Sequence, residues 1–109
     1  MTLKGKWRIV KMPDYEADFP DMIAPAYILF DGQGGGEFAF GCVTGAIHGA
    51  GDTNAVAFTW DGNDEMDEAR GNGWAELQPN GAISGQICFH GGDEANFIAR
   101  PWTTSSTAC

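Results

Sequence analysis

The stretch LKGKWRIV, residues 3–10, alternates regularly between two kinds of side chain. Successive side chains of a β-strand point to opposite faces, so Lys4, Lys6 and Arg8 share one face while Trp7 and Ile9 share the other. The pattern ends at Met12-Pro13, because proline has no N–H group to donate to a strand ladder. The segment therefore predicts a strand with one buried and one solvated face.

Similar short segments follow along the chain, and helical periodicity is nearly absent. Strands are predicted at 26–30, 37–43, 55–60, 73–78, 82–90 and 96–102, while 44–49 either continues its predecessor or forms a further strand. Glycine-rich DGQGGG (31–36) and Pro79-Asn80-Gly81 are typical of hairpin turns. Residues 14–25 do not alternate and are predicted to be a loop with at most one helical turn. Seven or eight short antiparallel strands indicate an all-β fold with little helix, either a single up-and-down barrel or a sandwich.

Bulky side chains are expected to fill the interior of such a fold. An eight-stranded barrel holds either its own side chains or one small ligand. The residues predicted to point inward are Trp7, Ile9, Tyr27, Leu29, Phe38, Phe40, Phe58, Trp60, Leu77, Phe89 and Phe97. So many aromatic side chains favour an interior filled by the protein itself over a ligand cavity.

Length and composition indicate one domain. A chain of 109 residues with 43% hydrophobic residues can build one core but not two. The domain is predicted to cover 1–102, with TTSSTAC at 103–109 as a flexible polar tail. No apolar run approaches the roughly 18 residues of a membrane helix, and no signal-peptide stretch follows the first basic residues. We therefore expect a cytoplasmic protein without a membrane partner.

The charge is strongly asymmetric. The net charge is −9, and from residue 12 onward two basic residues face fifteen acidic ones, a balance of −13. Such a surface repels nucleic acid and attracts basic protein surfaces or cations. The charge therefore favours a basic protein partner and argues against a nucleic-acid partner, although solubility alone would also explain it.

The two ends of the chain carry a resemblance. Gly5-Lys6-Trp7 on the first strand and Arg100 on the last resemble the pattern of calycins, the lipocalin and avidin type of β-barrel. The resemblance implies a barrel in which Gly5 allows close backbone approach and Arg100 packs on the indole of Trp7, and it implies a small apolar ligand. The chain is also similar to small bacterial proteins of unassigned function, which implies no chemistry.

The segment FTWDGNDEMDEARGNGW, residues 58–74, concentrates acidic residues between two tryptophans, Trp60 and Trp74. The carboxylates are Asp61, Asp64, Glu65, Asp67 and Glu68. We predict an exposed loop, at the same end of the barrel as Asp93 and Glu94. These seven acidic residues are named the acidic rim, and the two indoles are predicted to act as aromatic anchors for a partner.

Metal binding and catalysis find weaker support in the sequence. An EF-hand beginning at Asp61 would need Gly and Glu where Met66 and Asn72 stand, so only a loose divalent-cation loop at 61–68 stays open as an alternative. The three cysteines (Cys42, Cys88, Cys109) and two histidines (His48, His90) show no zinc or disulfide spacing. Cys88 and His90 lie roughly 7 Å apart along one strand face, which is too far for direct activation of the thiol. No cofactor is predicted, and the chain is not expected to be an enzyme.

The sequence thus favours a small acidic, non-enzymatic binding module that docks on a basic protein surface, for example as an inhibitor or antitoxin-like protein. The first alternative is a calycin-like carrier of a small apolar ligand, and the second is the cation loop.

Overall fold

The computed structural model describes residues 3–14, 25–50 and 54–102. These residues form eight strands and no helix: β1 (Gly5–Lys11), β2 (Tyr27–Phe30), β3 (Gly36–Phe40), β4 (Val43–His48), β5 (Ala55–Asp64), β6 (Asp67–Leu77), β7 (Ile83–Phe89) and β8 (Glu94–Pro101). The expected helical turn within 14–25 falls largely outside the described residues, and the expected tail at 103–109 lies entirely outside them.

The sheet is a closed barrel. Each strand pairs antiparallel with the next, and β8 returns to pair with β1. The fold is therefore the up-and-down barrel and not the sandwich. At the seam, the ladder from Trp7↔Pro101 to Ile9↔Ala99 is interrupted by a bulge before Lys11↔Ile98. Beyond the last pair, the Trp102 N–H donates to the Lys6 carbonyl at 2.9 Å, which extends the closure.

Side chains alternate between the interior and the solvent, as the sequence predicts for most strands. On β2, however, the prediction has the wrong face inside. Ile28 and Phe30 are buried, whereas Tyr27 and Leu29 lie on the outer side. The register explains the difference, because Ile28 is directly opposite Trp7, and directly opposed residues share one face of a sheet.

Glycines on inward positions make room for aromatic rings. A Cβ atom at Gly45 would lie 2.6 Å from the ring of Phe38, and one at Gly85 would lie 2.6 Å from the ring of Phe97. The ring of Phe38 also meets the indole of Trp60 edge-on, at 5.1 Å between centroids. The interior of this region is therefore filled by rings that lie over glycine backbone.

The acidic segment was predicted to be a loop, and this prediction was wrong. β5 continues to Asp64 and β6 begins at Asp67, so a two-residue turn, Glu65-Met66, joins two long strands. Inward positions here hold small residues, with Gly62 opposite Ala69. An added Cβ on Gly62 would lie 1.9 Å from the Thr44 carbonyl oxygen. Such positions keep the strand alternation without the bulky apolar residues by which a strand is recognised in a sequence.

The terminal residues pack differently from the arrangement that the calycin resemblance implies. Trp7 is buried, and its Nε1–H donates to the Leu3 carbonyl at 2.9 Å. Arg100 lies on the outer surface opposite Arg8, so it cannot cover the inward indole. Gly5 also differs in its role: a Cβ there would meet nothing within 4 Å, but its φ of 124° favours glycine.

Candidate interaction site

The tip of the β5–β6 hairpin, residues 64–68, presents one apolar side chain among four carboxylates. Asp64 is paired with Asp67 across the hairpin, and Glu65 and Met66 form the turn, where Glu65 has a φ of 58°. All five residues are exposed, and 97% of the Met66 surface is accessible. Met66 is therefore the most accessible large apolar side chain of the described residues, well ahead of Val10 at 52%.

The hairpin is supported on one side and free on the other. Toward β4, the ladder continues to Val43↔Asp64, and the Glu65 N–H donates to the Cys42 carbonyl at 2.9 Å. Toward β7, the ladder ends at Gly71↔Phe89, followed by one bond from the His90 N–H to the Arg70 carbonyl. Residues 67–69 of β6 therefore extend past β7, and the tip stands beyond the β7–β8 turn.

The remaining members of the acidic rim lie at the same end of the barrel. In an up-and-down barrel, the β3–β4, β5–β6 and β7–β8 turns share one end. Asp93 and Glu94 are exposed at the β7–β8 turn, and Glu94 is opposite Cys88. The topology thus brings the two acidic groups to one end, with the β6–β7 pair between them.

The two tryptophans have different positions. Trp60 is only 2% exposed, and its Nε1–H donates to the carbonyls of Asn72 and Cys88, both at 3.2 Å. It is part of the core and cannot act as the predicted partner anchor. Trp74 is 41% exposed and hydrogen-bonds to Gln86. It is seven residues along β6 from Asp67, or roughly 23 Å, so it lies far from the tip.

Met66 takes the position that the sequence reading gave to the tryptophans. The signal for it was present in the sequence, because a single long apolar residue stands between the acidic pairs Asp64-Glu65 and Asp67-Glu68. Recognising it required the turn to be placed at residues 65 and 66. In the long loop predicted from the sequence, nothing distinguished Met66 from the other exposed positions.

A groove runs across the outer face at the base of the hairpin. Two adjoining depressions of about 540 and 460 Å³ share Asp61, Arg70 and His90 in their walls. His48 Nε2 lies 2.6 Å from Asp61 Oδ1, and Arg70 is directly opposite Asp61 on β6. From the sequence, the histidines were considered as zinc ligands, and His90 also as a base for Cys88. In the barrel, His48 contacts Asp61 directly, while His90 lies next to Arg70, and both histidines line the groove, where they can bind polar side chains of a partner.

The carboxylates of the hairpin do not converge. Asp61 and Asp64 are three positions apart on β5, so their side chains leave opposite faces of the strand. Within the described residues, no group of three or more His, Cys, Asp or Glu side chains is placed to hold a metal ion. The geometry of the hairpin therefore gives no support to the alternative of a cation loop at 61–68.

Both thiols of the described residues, Cys42 and Cys88, have a raised pKa. Burial raises the pKa of Cys42, and the charges of Glu65 and Asp64 raise it further. Burial also raises the pKa of Cys88, with a smaller contribution from Glu94. A nucleophilic cysteine needs the opposite shift, so neither thiol is activated here.

Comparison with known proteins does not extend this picture. Searches found no family model, curated protein or solved structure that matches this chain. The calycin resemblance thus stays a prediction. Among the described residues, no helix has the length and apolar character needed to cross a bilayer.

Proposed function

We propose that this protein is a small acidic binding module that docks on a basic protein surface through the tip of the β5–β6 hairpin. The observation that carries the proposal is the 97% exposure of Met66 between two pairs of carboxylates on a hairpin that extends past its neighbour β7. Occupation of a partner's nucleic-acid-binding face, as by an inhibitor or antitoxin-like protein, is the specific version that fits this chemistry.

The two components of the tip have different roles in binding. Burial of a methionine side chain in a partner pocket contributes about 1.5–3 kcal/mol, and its flexible thioether adapts to irregular surfaces. The surrounding carboxylates attract a basic surface from a distance and speed association. Met66 should therefore govern the dissociation rate, while the four carboxylates govern the association rate and its dependence on salt.

The filled interior supports this function over that of a ligand carrier. The rings of Phe38 and Phe89 both contact the indole of Trp60, with centroids 5.1 and 5.2 Å from that of Trp60. An apolar ligand in this part of the barrel would have to displace these rings.

The test begins with a partner captured from the native host and then purified. Met66→Ser should weaken its binding roughly 10- to 30-fold, which corresponds to about 1.5–2 kcal/mol. A variant with Asp64→Asn, Glu65→Gln, Asp67→Asn and Glu68→Gln should associate more slowly and lose most of its salt dependence.

Glu76→Gln is the matched control, because Glu76 is an exposed carboxylate on β6 far from the turn. It should leave both rates close to those of the original protein. If the hairpin variants bind the purified partner as tightly as the Glu76→Gln control, the hairpin is not the contact surface and the proposal is wrong.

A further inference from the structure

The cationic residues of the chain gather on one part of the barrel. Five of the six lysine and arginine residues lie on β1, on β8 or just before β1. Four of them form what we name the basic pole: Lys4, Lys6, Arg8 and Arg100. Arg8 and Arg100 are directly opposite each other across the closing seam. Arg8 is half-buried and donates to the Ala26 carbonyl at 3.1 Å, whereas Lys6 and Arg100 are exposed.

The basic pole also carries aromatic and apolar surface. Lys6 Nζ lies 4.7 Å from the ring centroid of Tyr27 and 4.2 Å from that of Trp102. These rings restrict the lysine side chain, and their outer parts stay accessible. Val10 and Ile98 are exposed apolar residues on the same two strands. The pole therefore offers both positive charge and apolar contact.

The basic pole and the hairpin tip lie on opposite sides of the molecule. In a closed ring of eight strands, β1 and β5 are four positions apart. The two regions also lie at opposite ends, since Lys4 and Lys6 are near the start of β1, while the β5–β6 turn is at the end where β1 finishes. The longest dimension of the molecule is 38 Å. One copy therefore cannot bring its own tip to its own pole.

We propose that the hairpin tip of one copy binds the basic pole of a second copy, so that the protein self-associates head to tail. The inference rests on the proposed function, because it names the basic surface that the tip binds. Carboxylates of the tip would meet Lys6 and Arg100, and Met66 would pack on Trp102. The two surfaces differ, so such contacts generate a ring or an open chain of copies and not a two-fold dimer.

Repulsion between copies of net charge −9 opposes this association. Its range is limited by salt, since the Debye length at 0.1–0.15 M is about 8–10 Å, much shorter than the molecule. Contact pairs between tip and pole are screened less. Association should therefore be measured at this ionic strength, up to millimolar protein, with reductant present to keep the cysteines as thiols.

The decisive experiment uses two charge-reversed variants in analytical ultracentrifugation. The tip variant carries Glu65→Lys and Asp67→Lys, which changes the net charge from −9 to −5. The pole variant carries Lys6→Glu and Arg100→Glu, which changes it from −9 to −13. Each variant alone should be monomeric at concentrations where the original protein associates. An equimolar mixture should form alternating chains or rings of the two variants, because a reversed tip then meets a reversed pole and an original tip meets an original pole.

Net charge cannot explain that pattern. The tip variant is less negative than the original protein and would associate more strongly if overall repulsion decided the outcome. Both components of the mixture are negative, so general attraction would not pair them. Glu76→Lys, a charge reversal on β6 two strands away from β8 and far from the hairpin tip, should associate like the original protein. Circular dichroism checks that every variant is folded.

A second measurement uses the original sequence alone. Carbodiimide cross-linking of a mixture of ¹⁴N- and ¹⁵N-labelled protein should give mixed-isotope peptides that join Glu65 or Asp67 to Lys6. A monomeric original protein at 1 mM, or a mixture of variants that stays monomeric, overturns the inference. If hairpin-dependent binding to a purified basic host protein persists in that case, the proposed function stands without self-association. If the original protein does not self-associate and its hairpin also does not contribute to binding of the host protein, both proposals are wrong.

Discussion

Replacement of Trp60 by phenylalanine should strongly destabilise the barrel, because Trp60 is the largest fully buried side chain of the described residues. Its indole meets Phe38 and Phe89 edge-on, with interplanar angles of 77° and 86°. Its Nε1–H is shared between two strand carbonyls, those of Asn72 and Cys88. The substitution keeps a ring at the position but removes the N–H donor and the second ring.

The expected loss can be estimated from these contacts. Loss of the hydrogen bond costs about 1 kcal/mol. An indole buries roughly 50 Å² more than a phenyl ring, which contributes about 1.2 kcal/mol at 25 cal/mol per Å². Incomplete closure of the resulting cavity adds to this. We therefore expect the free energy of unfolding to fall by about 2–3 kcal/mol, or Tm by about 10–20 °C for a domain of this size.

Urea denaturation followed by far-UV circular dichroism measures the change without relying on tryptophan fluorescence. Trp74→Phe is the matched control, because that indole is exposed, and its replacement should change the free energy of unfolding by at most about 0.5 kcal/mol. Equal effects of the two substitutions, or a cost below 0.5 kcal/mol at Trp60, would refute the assignment of Trp60 to the core. Folded Trp60→Phe should also bind a purified partner as tightly as the original protein.

Three further predictions follow from the packing and the titratable groups. Gly85→Ala should lower the free energy of unfolding by about 1–3 kcal/mol in the same assay, because the added Cβ would lie 2.3 Å from the Trp74 carbonyl oxygen. A cost near zero would instead show that the two strands can move apart freely. Burial raises the pKa of Tyr27 to about 12, and the hydrogen bond to Glu37 and its charge contribute to the shift. The contribution of Tyr27 to the free energy of unfolding should be complete below pH 10 and lost as the pH rises from 10 to 12. In a Tyr15→Phe background, absorbance titration should find a lower pKa for Tyr27 after Glu37→Gln. An unchanged pKa would contradict the role of Glu37. In a Cys109→Ser background, the double substitution Glu65→Gln and Asp64→Asn should lower the pKa of Cys42 and speed its alkylation at neutral pH, as followed by mass spectrometry. The alkylation rate of Cys88 should stay unchanged. Equal acceleration of both thiols would count against a local effect of the hairpin charges.

The strand pattern was predictable from the sequence wherever inward positions hold bulky side chains. The alternation around Trp7 gave β1, and closely similar bounds were predicted for β7 and β8. The pattern did not decide between a barrel and a sandwich, because that depends on whether β8 pairs with β1, a contact between the ends of the domain. It also gave the wrong face for β2, since Tyr27 and Leu29 are as apolar in appearance as the Ile28 and Phe30 that are buried.

The candidate site was predictable as a region but not in detail. Charge density alone indicated residues 61–68 and their exposure. The position of the turn could not be found, because Gly62, Ala69 and Gly71 occupy inward positions without the size that marks a buried face. The sequence predicted Trp60 both as an inward core residue and as a partner contact. Only the structure could decide between the two roles, and it places Trp60 in the core. The groove beside Asp61 depends on the register of the four strands β4 to β7, which no local pattern contains.

Closure of the barrel has a consequence for the order in which the protein folds. Seven of the eight strand pairings join neighbours in the sequence, whereas β1 and β8 are about 90 residues apart. Pairing of distant segments requires a large loss of chain entropy before any contact compensates for it. The seam between β1 and β8 should therefore form last, after the local hairpins. Until then, two strand edges have unsatisfied backbone groups and can pair with another molecule. For a chain emerging from the ribosome, aggregation is thus most probable in the interval before β8 is synthesised and reaches β1.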